Sequence, residues 1–307
     1  MSLPDPSYFP SLAIVIVNWN SYEVTANCLE SLRSLDYPKF TVVVVDNGSE
    51  DDSANRLVSS FPEITLLRNT ENLGFTGGNN TGIQFALEND FELVMLLNND
   101  TIVTPDLAGL LVKRLVSDPD IGAVQPKILY NKERDVIWNA GGVFNSFFFT
   151  SKTRGFNEKD RGQYDESNEV DWITGCCFLT RSEIIKQIGL LDQKFFIYYE
   201  DSDWSFKIRK LGYKLVYDGS SIVYHEVGMS EENRKGHNEG NVSPFAHYMV
   251  IRNHLYMVRR YARGVSLIGA WLNLTGKIVL RLGYFVIRGR FKKLRFALRG
   301  VQHGMTR

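Results

Sequence analysis

Phe91-Glu92-Leu93-Val94-Met95-Leu96-Leu97-Asn98-Asn99-Asp100-Thr101 begins as an apolar run and ends in three polar side chains. The run reads as a buried strand about to leave a sheet. In open α/β sheets, ligands bind at the carboxyl ends of the strands. A carboxylate there, beside amide oxygens, suits a hard cation. A plain polar turn, with Asp100 bonded to its own backbone, fits the same residues. The neighbouring segments decide between the two.

Upstream, Leu12 to Val17 is a buried strand ending in Asn18-Trp19-Asn20. Ser21 then looks like a helix cap, with Val24, Cys28, Leu29, Leu32 and Leu35 at helical spacing. Phe40 to Val45 ends in Asp46-Asn47-Gly48-Ser49, and Ile64 to Arg68 is a third short strand. A glycine-rich stretch from Asn69 to Gly82 then opens a helix through Ile83, Phe85, Ala86 and Leu87. Apolar strands separated by helix-sized segments predict a mostly parallel, Rossmann-like sheet with helices on both faces. In such a sheet the polar clusters at the strand ends share one edge, which favours a common site over four unrelated turns. The glycines Gly74, Gly77, Gly78 and Gly82 match neither a P-loop nor the dinucleotide fingerprint. They serve either close backbone approach to a flat nucleotide or helix–sheet packing.

Downstream, Thr104-Pro105-Asp106 looks like a helix start capped by Thr104. Ile121 to Tyr130 reads as a strand with a bulge at Pro126, and Val170 to Thr180 as another buried strand. Residues 143–168 are polar and irregular, either a mobile loop over the site or a surface excursion. A second chemical cluster follows in Phe195 to Trp204, where Glu200, Asp201 and Asp203 sit in the first turn of a helix. A helix dipole welcomes one or two acids there. Three should raise the proton affinity of at least one, which makes a candidate general base. Leu215 to Tyr217 and Ile222 to Tyr224 are short strands, and His225 ends the second as a candidate metal ligand. Gly228 to Asn241 reads as flexible and polar.

The net charge of the 307 residues is zero, but it is divided unevenly. From Gly240 to Arg307 there are 13 Lys or Arg and no Asp or Glu, leaving 22 basic and 35 acidic residues before it. A basic tail suits an anionic surface. Val265 to Ile287 is long and apolar but interrupted by Asn273, Lys277 and Arg281, and Arg288 to Phe296 interleaves bases with aromatics. The tail reads as a helical hairpin lying on an anionic leaflet. Nothing upstream resembles a nucleic-acid module, so nucleic acid is not expected as a partner. Cys28, Cys176 and Cys177 have neither metal spacing nor a disulfide framework, as in a reducing compartment. The first residues lack the pattern of a signal peptide. Together these set the expectation of a cytoplasmic protein, peripheral on the inner face of the cell membrane.

In order, Val17-Asn18-Trp19-Asn20, Val45-Asp46-Asn47-Gly48-Ser49, Asn72 to Asn79 and Asn98-Asn99-Asp100 resemble family 2 glycosyltransferases of the GT-A fold. Trp172-Ile173-Thr174-Gly175, Glu200-Asp201-Ser202-Asp203-Trp204 and His225 extend the resemblance, which is strongest to rhamnosyltransferase-like and galactofuranosyltransferase-like members. It implies a GT-A domain over residues 1–240, with a nucleotide-sugar half (about 10–130) and an acceptor half (about 131–240), and a basic, amphipathic helical extension over 241–307.

The resemblance implies an inverting transfer from a dTDP- or UDP-sugar, dTDP-rhamnose among them, to a hydroxyl of a glycan or lipid-linked acceptor in cell-surface polysaccharide synthesis. Asn18, Asn20, Asp46, Asn72, Gly74, Asn98 and Asn99 would surround the donor. Asp100 and His225 would hold Mg²⁺ or Mn²⁺. Asp201 would be the base, with Glu200 and Asp203 binding the acceptor or orienting that base. Asn98 stands where the family's Asp-x-Asp pattern has its first Asp, so only Asp100 brings charge there. The oligomeric state stays open, a dimer among the options. A nucleotidyltransferase would want a basic Gly-rich loop at the first strand, which Asn18-Trp19-Asn20 lacks. A non-catalytic nucleotide-sugar-binding scaffold would have no use for the acids at 200, 201 and 203.

Overall fold

The structure, a computed structural model, describes residues 9–226 and 242–306. The polar stretch expected from Gly228 to Asn241 lies outside the described residues. Strands β1 (Leu12–Asn18), β2 (Phe40–Asn47), β3 (Thr65–Asn69) and β4 (Leu93–Leu97) lie in the order β3-β2-β1-β4, all parallel. Helices α1 (Tyr22–Leu32), α2 (Ser53–Ser60) and α3 (Gly74–Glu88) connect them. The chain winds outward from β1 to β3, then crosses back to lay β4 on the other side of β1. That reversal opens a crevice at the carboxyl ends of β1 and β4.

Alternating side chains along each strand supply two cores. Leu12, Ile14, Ile16, Val42 and Val44 pack with Cys28, Leu29 and Leu32 of α1 and with Leu107 and Leu111 of α4 (Leu107–Val116). On the opposite face Ala13, Val15 and Val45 meet Ile83 and Ala86 of α3 and Trp204 and Ile208 of α6 (Glu200–Lys210). Full burial on both faces is why these strands read as continuous Val, Ile and Leu.

The sheet continues through β5 (Thr101–Val103), β6 (Ile121–Tyr130), β7 (Ile137–Asn139), β10 (Asn168–Val170), β11 (Cys177–Arg181) and β12 (Lys214–His225). β11 runs antiparallel to β4 and β6, while β12 runs parallel to β6. The short β5 turns back against β12 and places Thr101 opposite His225.

Several local expectations need correction. The single strand expected over Val170 to Thr180 is two strands with the Gly175-Cys176 turn between them. The two strands expected before His225 are one, and the irregularity expected at Pro126 lies in its partner, between Asp218 and Ile222. Thr104 does not cap α4; its hydroxyl donates to the Ile222 carbonyl at 3.0 Å, and the helix begins after Asp106. Residues 143–168 begin as a hairpin, β8 (Gly142–Asn145) with β9 (Thr150–Thr153), rather than an irregular loop. Its aromatic tip docks on the last helices. The Phe148 carbonyl accepts from Asn273 Nδ2 at 3.0 Å.

After α5 (Ser182–Ile188) and α6, three helices close the chain: α7 (Pro244–Tyr261), α8 (Val265–Ile287) and α9 (Phe291–Thr306). Ser243 Oγ accepts from the Ala246 amide, and Pro244 opens α7 where no amide hydrogen is needed. Ile251, Leu255 and Val258 of α7 join Ala270, Leu274, Phe285 and Ala297 in a third core. Phe149 of the hairpin and Phe195 of the loop before α6 are buried in that same core.

Candidate active site

Two lobes of one cleft meet at the end of β4. The first, about 510 Å³, runs past Trp19 and Asn20 to Asn98, Asn99 and Asp100. The second, about 580 Å³, shares Asn98 and Asp100 and reaches His225, Gly175, Glu200 and Asp201. The structure therefore brings Asp100, His225 and Asp201 into one space, although 125 residues separate the first two.

His225 Nε2 lies 3.0 Å from Asp100 Oδ1. The pairing of β5 with β12 fixes this meeting, and Asp100 O accepts from the Glu226 amide at 2.7 Å. The His225 ring stands edge-on to Trp138, with centroids 4.5 Å apart, and its buried Nδ1 has no partner. One carboxylate oxygen and one imidazole nitrogen 3.0 Å apart match adjacent corners of an octahedron with bonds of about 2.1 Å. Asp100 and His225 would hold a divalent cation there, which would supply positive charge beside the end of β4. Among the described residues no third His, Cys, Asp or Glu joins them.

The donor-side residues divide in two. Asn20, Asn98 and Asn99 line the cleft. Asn20 holds a left-handed backbone (φ 48°), and its Oδ1 accepts from the Glu50 amide at 2.8 Å. Asn18 is fully buried and already committed: Nδ2 reaches Asp46 Oδ1 (3.1 Å) and Ser53 Oγ (3.0 Å), and Oδ1 accepts from Thr25 at 2.8 Å. Thr25 Oγ1 in turn accepts from Asn99 Nδ2 at 2.9 Å, so one network ties the end of β4 to the end of β2. Asn72 accepts from Asn47 Nδ2 and from the Gly74 amide. Asn72 and Gly74 are not among the residues lining either lobe.

The glycine question resolves toward packing. A side-chain carbon at Gly82 would stand 2.3 Å from Val15, and at Gly78 2.8 Å from Val17, so both let α3 lie on β1. Gly74, with φ 71°, meets Phe196 of the loop before α6.

Asp201 accepts at Oδ2 from the Gly175 amide (3.1 Å) and at Oδ1 from the Ser202 amide (2.6 Å). Burial raises its pKa above the usual carboxylate range, opposed by those two amides. Glu200 is more extreme: burial first, then the Asp201 charge, push it well up, and its Oε2 has no partner. Burial, more than the crowding of like charges expected from the sequence, is what raises these two acids, and a neighbouring charge adds to it only at Glu200. Asp203 is elsewhere. It is fully buried, with Oδ1 accepting from Arg260 (2.7 Å) and Tyr261 (2.6 Å), and Lys207 stands 2.9 Å from Oδ2. It anchors α7 to α6 and does not line the cleft.

Reasoning from sequence missed Trp19, Phe75, Trp172 and Tyr199. Trp19 is 52% exposed at the mouth of the first lobe, and its place beside two Asn was the available signal. Trp172 and Tyr199 line the second lobe. It also missed Asn253, whose Nδ2 serves the Phe195, Ile197 and Tyr198 carbonyls at 3.0, 2.9 and 2.8 Å.

A mostly parallel sheet with its switch point at the end of β4, a carboxylate–imidazole pair there and a second carboxylate of raised proton affinity in the same cleft make up the candidate site. The chain belongs to Glycosyl transferase family 2, whose sequence profile matches residues 13–189. It is 27% identical over 201 residues to the low-salt glycan biosynthesis hexosyltransferase Agl10 of Haloferax volcanii, covering 65% of this chain and 62% of that one. It is 27% identical over 237 residues to the N-acetylglucosaminyl-diphospho-decaprenol L-rhamnosyltransferase of Mycobacterium tuberculosis, covering 71% of this chain and 77% of that one. Among solved structures, the mannosyltransferase PcManGT of Pyrobaculum calidifontis, in complex with GDP-Man and Mn²⁺, superposes with a TM-score of 0.60. That match has 17% identity and covers 99% of this chain and 89% of the other. The fold is the GT-A fold, and the match includes the helical extension.

Proposed function

We propose that the protein is an inverting, divalent-cation-dependent glycosyltransferase of hexosyltransferase type. It moves a sugar from a dTDP- or UDP-sugar to a hydroxyl of a glycan or lipid-linked acceptor. The observation that carries this reading is the shared cleft, with Asp100 and His225 on one wall and Asp201 on another. A cation held by Asp100 and His225 would supply Lewis-acid stabilisation of charge on a departing diphosphate. Trp19 offers a flat face for the base, and Asn20, Asn98 and Asn99 offer amides to the nucleotide and sugar. Asp46 acts through Asn18 rather than by free access to solvent.

Asp201 takes the acceptor's proton as its oxygen attacks the sugar. Its raised proton affinity suits that task, and the Gly175 and Ser202 amides keep it ionisable. The relative from Mycobacterium tuberculosis, by its name, acts on a diphospho-decaprenol-linked sugar, which supports a lipid-linked acceptor and a rhamnosyl donor here. The basic extension and the exposed side chains Ile268, Leu272 and Val279 support residence on the cytoplasmic leaflet.

The test is binding and turnover across UDP-, dTDP- and GDP-sugars with Mn²⁺. Asp201→Asn should lower turnover by at least about 10²-fold while nucleotide affinity stays within twofold. Full turnover in that variant would remove Asp201 from its role. Absence of nucleotide binding in the unmodified chain would remove the whole reading.

A further inference from the structure

A third cavity, about 230 Å³, opens off the acceptor lobe between the hairpin β8–β9, α6 and the extension. Ser151, Trp172, Tyr199, Ser202 and Val250 line both, so the two are continuous one residue from Asp201. Its walls are apolar and aromatic, with Phe149, Phe206, Leu274 and Ile278 among them. Two cations, Lys277 and Arg281, complete the lining, and no acid does. Among the described residues neither cation has an ion-pair partner. Burial and these two cations hold His254, also in the lining, down at about 4, so it is neutral and adds no third charge. The buried Trp172 Nε1 has no acceptor.

The pattern along α8 gives the direction from which a ligand arrives. Leu274, Lys277, Ile278 and Arg281 recur at helical spacing and face the cavity. Val265, Ile268, Leu272 and Val279 fall on the opposite side and are all more than 60% exposed. The helix is long and apolar enough to cross a membrane by length and composition, yet of the polar residues that interrupt it Asn273 bonds the Phe148 carbonyl and Lys277 and Arg281 line the cavity. An apolar stripe outward and two bases inward suit a helix lying in the headgroup zone.

We infer that this cavity receives the phosphate-linked part of an amphiphilic acceptor: a sugar joined through phosphate to a long hydrocarbon chain. Lys277 and Arg281 bind the phosphate oxygens. The sugar passes Trp172 and Tyr199 toward Asp201. The chain begins against Phe149, Leu274 and Ile278 and leaves beside α8 into the bilayer. The assignment rests on the sugar-transfer reading for its sugar end, but the cavity's charge and apolarity stand without it.

The probe is geranylgeranyl diphosphate in nonionic detergent, titrated into the full chain. Geranylgeraniol, inorganic pyrophosphate and phosphatidylglycerol serve as competitors, and UDP, dTDP and GDP with Mn²⁺ are titrated in parallel. The lipid diphosphate should bind, and Lys277→Ala with Arg281→Ala should weaken it at least tenfold. Lys277→Arg should retain it, and nucleotide affinity should not move in any variant. Lys277 is exposed and Arg281 only half-buried, so neither change opens a core. Equal binding by the double variant overturns the inference. So does equal affinity for geranylgeraniol, or displacement by equimolar pyrophosphate or phosphatidylglycerol. If the lipid diphosphate binds and depends on both cations while no nucleotide binds, the cavity stands and the sugar-transfer reading falls.

Discussion

Glu200 shows how a single side chain can be costly and kept. It is buried beside another carboxylate, and Oε2 has no hydrogen bond. Its folded pKa is raised, so ionising it penalises the folded chain. The penalty begins as pH rises through the unfolded value near ~4.3 and is complete above the folded one. Glu200→Gln should therefore raise the unfolding midpoint at pH 8, by on the order of 2 °C or more for about 1 kcal/mol. The gain should vanish at pH 4, where both forms are neutral. A gain at both pH values would mean that ionisation is not the cause. Turnover should fall in the same variant if Glu200 tunes Asp201, since active sites commonly hold destabilising groups. At this scale the sequence was readable where chemistry depends on residue type. Asp100, His225, Glu200 and Asp201 were placed by their position at strand ends and in the helix first turn, and all four line the cleft. It was not readable where a role depends on distant partners. Asp203 looks like its neighbours until Arg260 and Tyr261 arrive from α7. Asn18 looks exposed at a strand end until Asp46, Ser53 and Thr25 close around it.

The loop before α6 is the element on which the acceptor side turns. Phe196, Tyr198 and Tyr199 all have left-handed backbone, at φ 62°, 73° and 74°. Such residues cost about 1–3 kcal/mol each and persist only where neighbours hold them. Asn253 holds three of the loop's carbonyls from a fully buried position, and Arg252 adds bonds to the Lys194 and Phe195 carbonyls. Gly74 gives Phe196 its space from the donor side. The extension is thus part of the site's scaffold. Asn253→Asp keeps the shape but replaces the donor with an acceptor facing three carbonyls. It should cost about 2–3 kcal/mol of stability. It should also lower kcat more than tenfold while nucleotide affinity holds within twofold, because the donor lobe does not touch this loop except at Ile197. Unchanged kcat in a folded variant would confine Asn253 to stability. Elements with strong local periodicity, the parallel strands and α1 and α3, were legible in advance. The hairpin β8–β9 was not, because its polar alternation is weak and its tip is ordered by α8, more than a hundred residues later.

At the scale of the whole molecule, the uneven charge and the third core constrain how membrane attachment can be tested. Removing the chain after Arg260 would look like a clean deletion of the basic tail. It would strip Ala270, Leu274, Phe285 and Ala297 from the core that buries Phe149 and Phe195. Loss of vesicle binding would then be mixed with damage to the acceptor lobe. Substitution on the outer face of α8 avoids this. Leu272 and Val279 are 70% and 61% exposed, so Leu272→Glu with Val279→Glu leaves the buried core untouched. The unmodified protein should sediment with phosphatidylglycerol vesicles and not with phosphatidylcholine. Binding should weaken as salt rises, because several Lys and Arg each contribute about 1 kcal/mol near an anionic surface. The double variant should lose at least tenfold in vesicle affinity, with its unfolding midpoint unchanged and its nucleotide binding intact. Sedimentation with neutral vesicles to the same extent would make the basic residues irrelevant. Unaltered binding by the variant would move the contact away from α8, and with it the route by which a lipid-linked acceptor reaches Lys277 and Arg281.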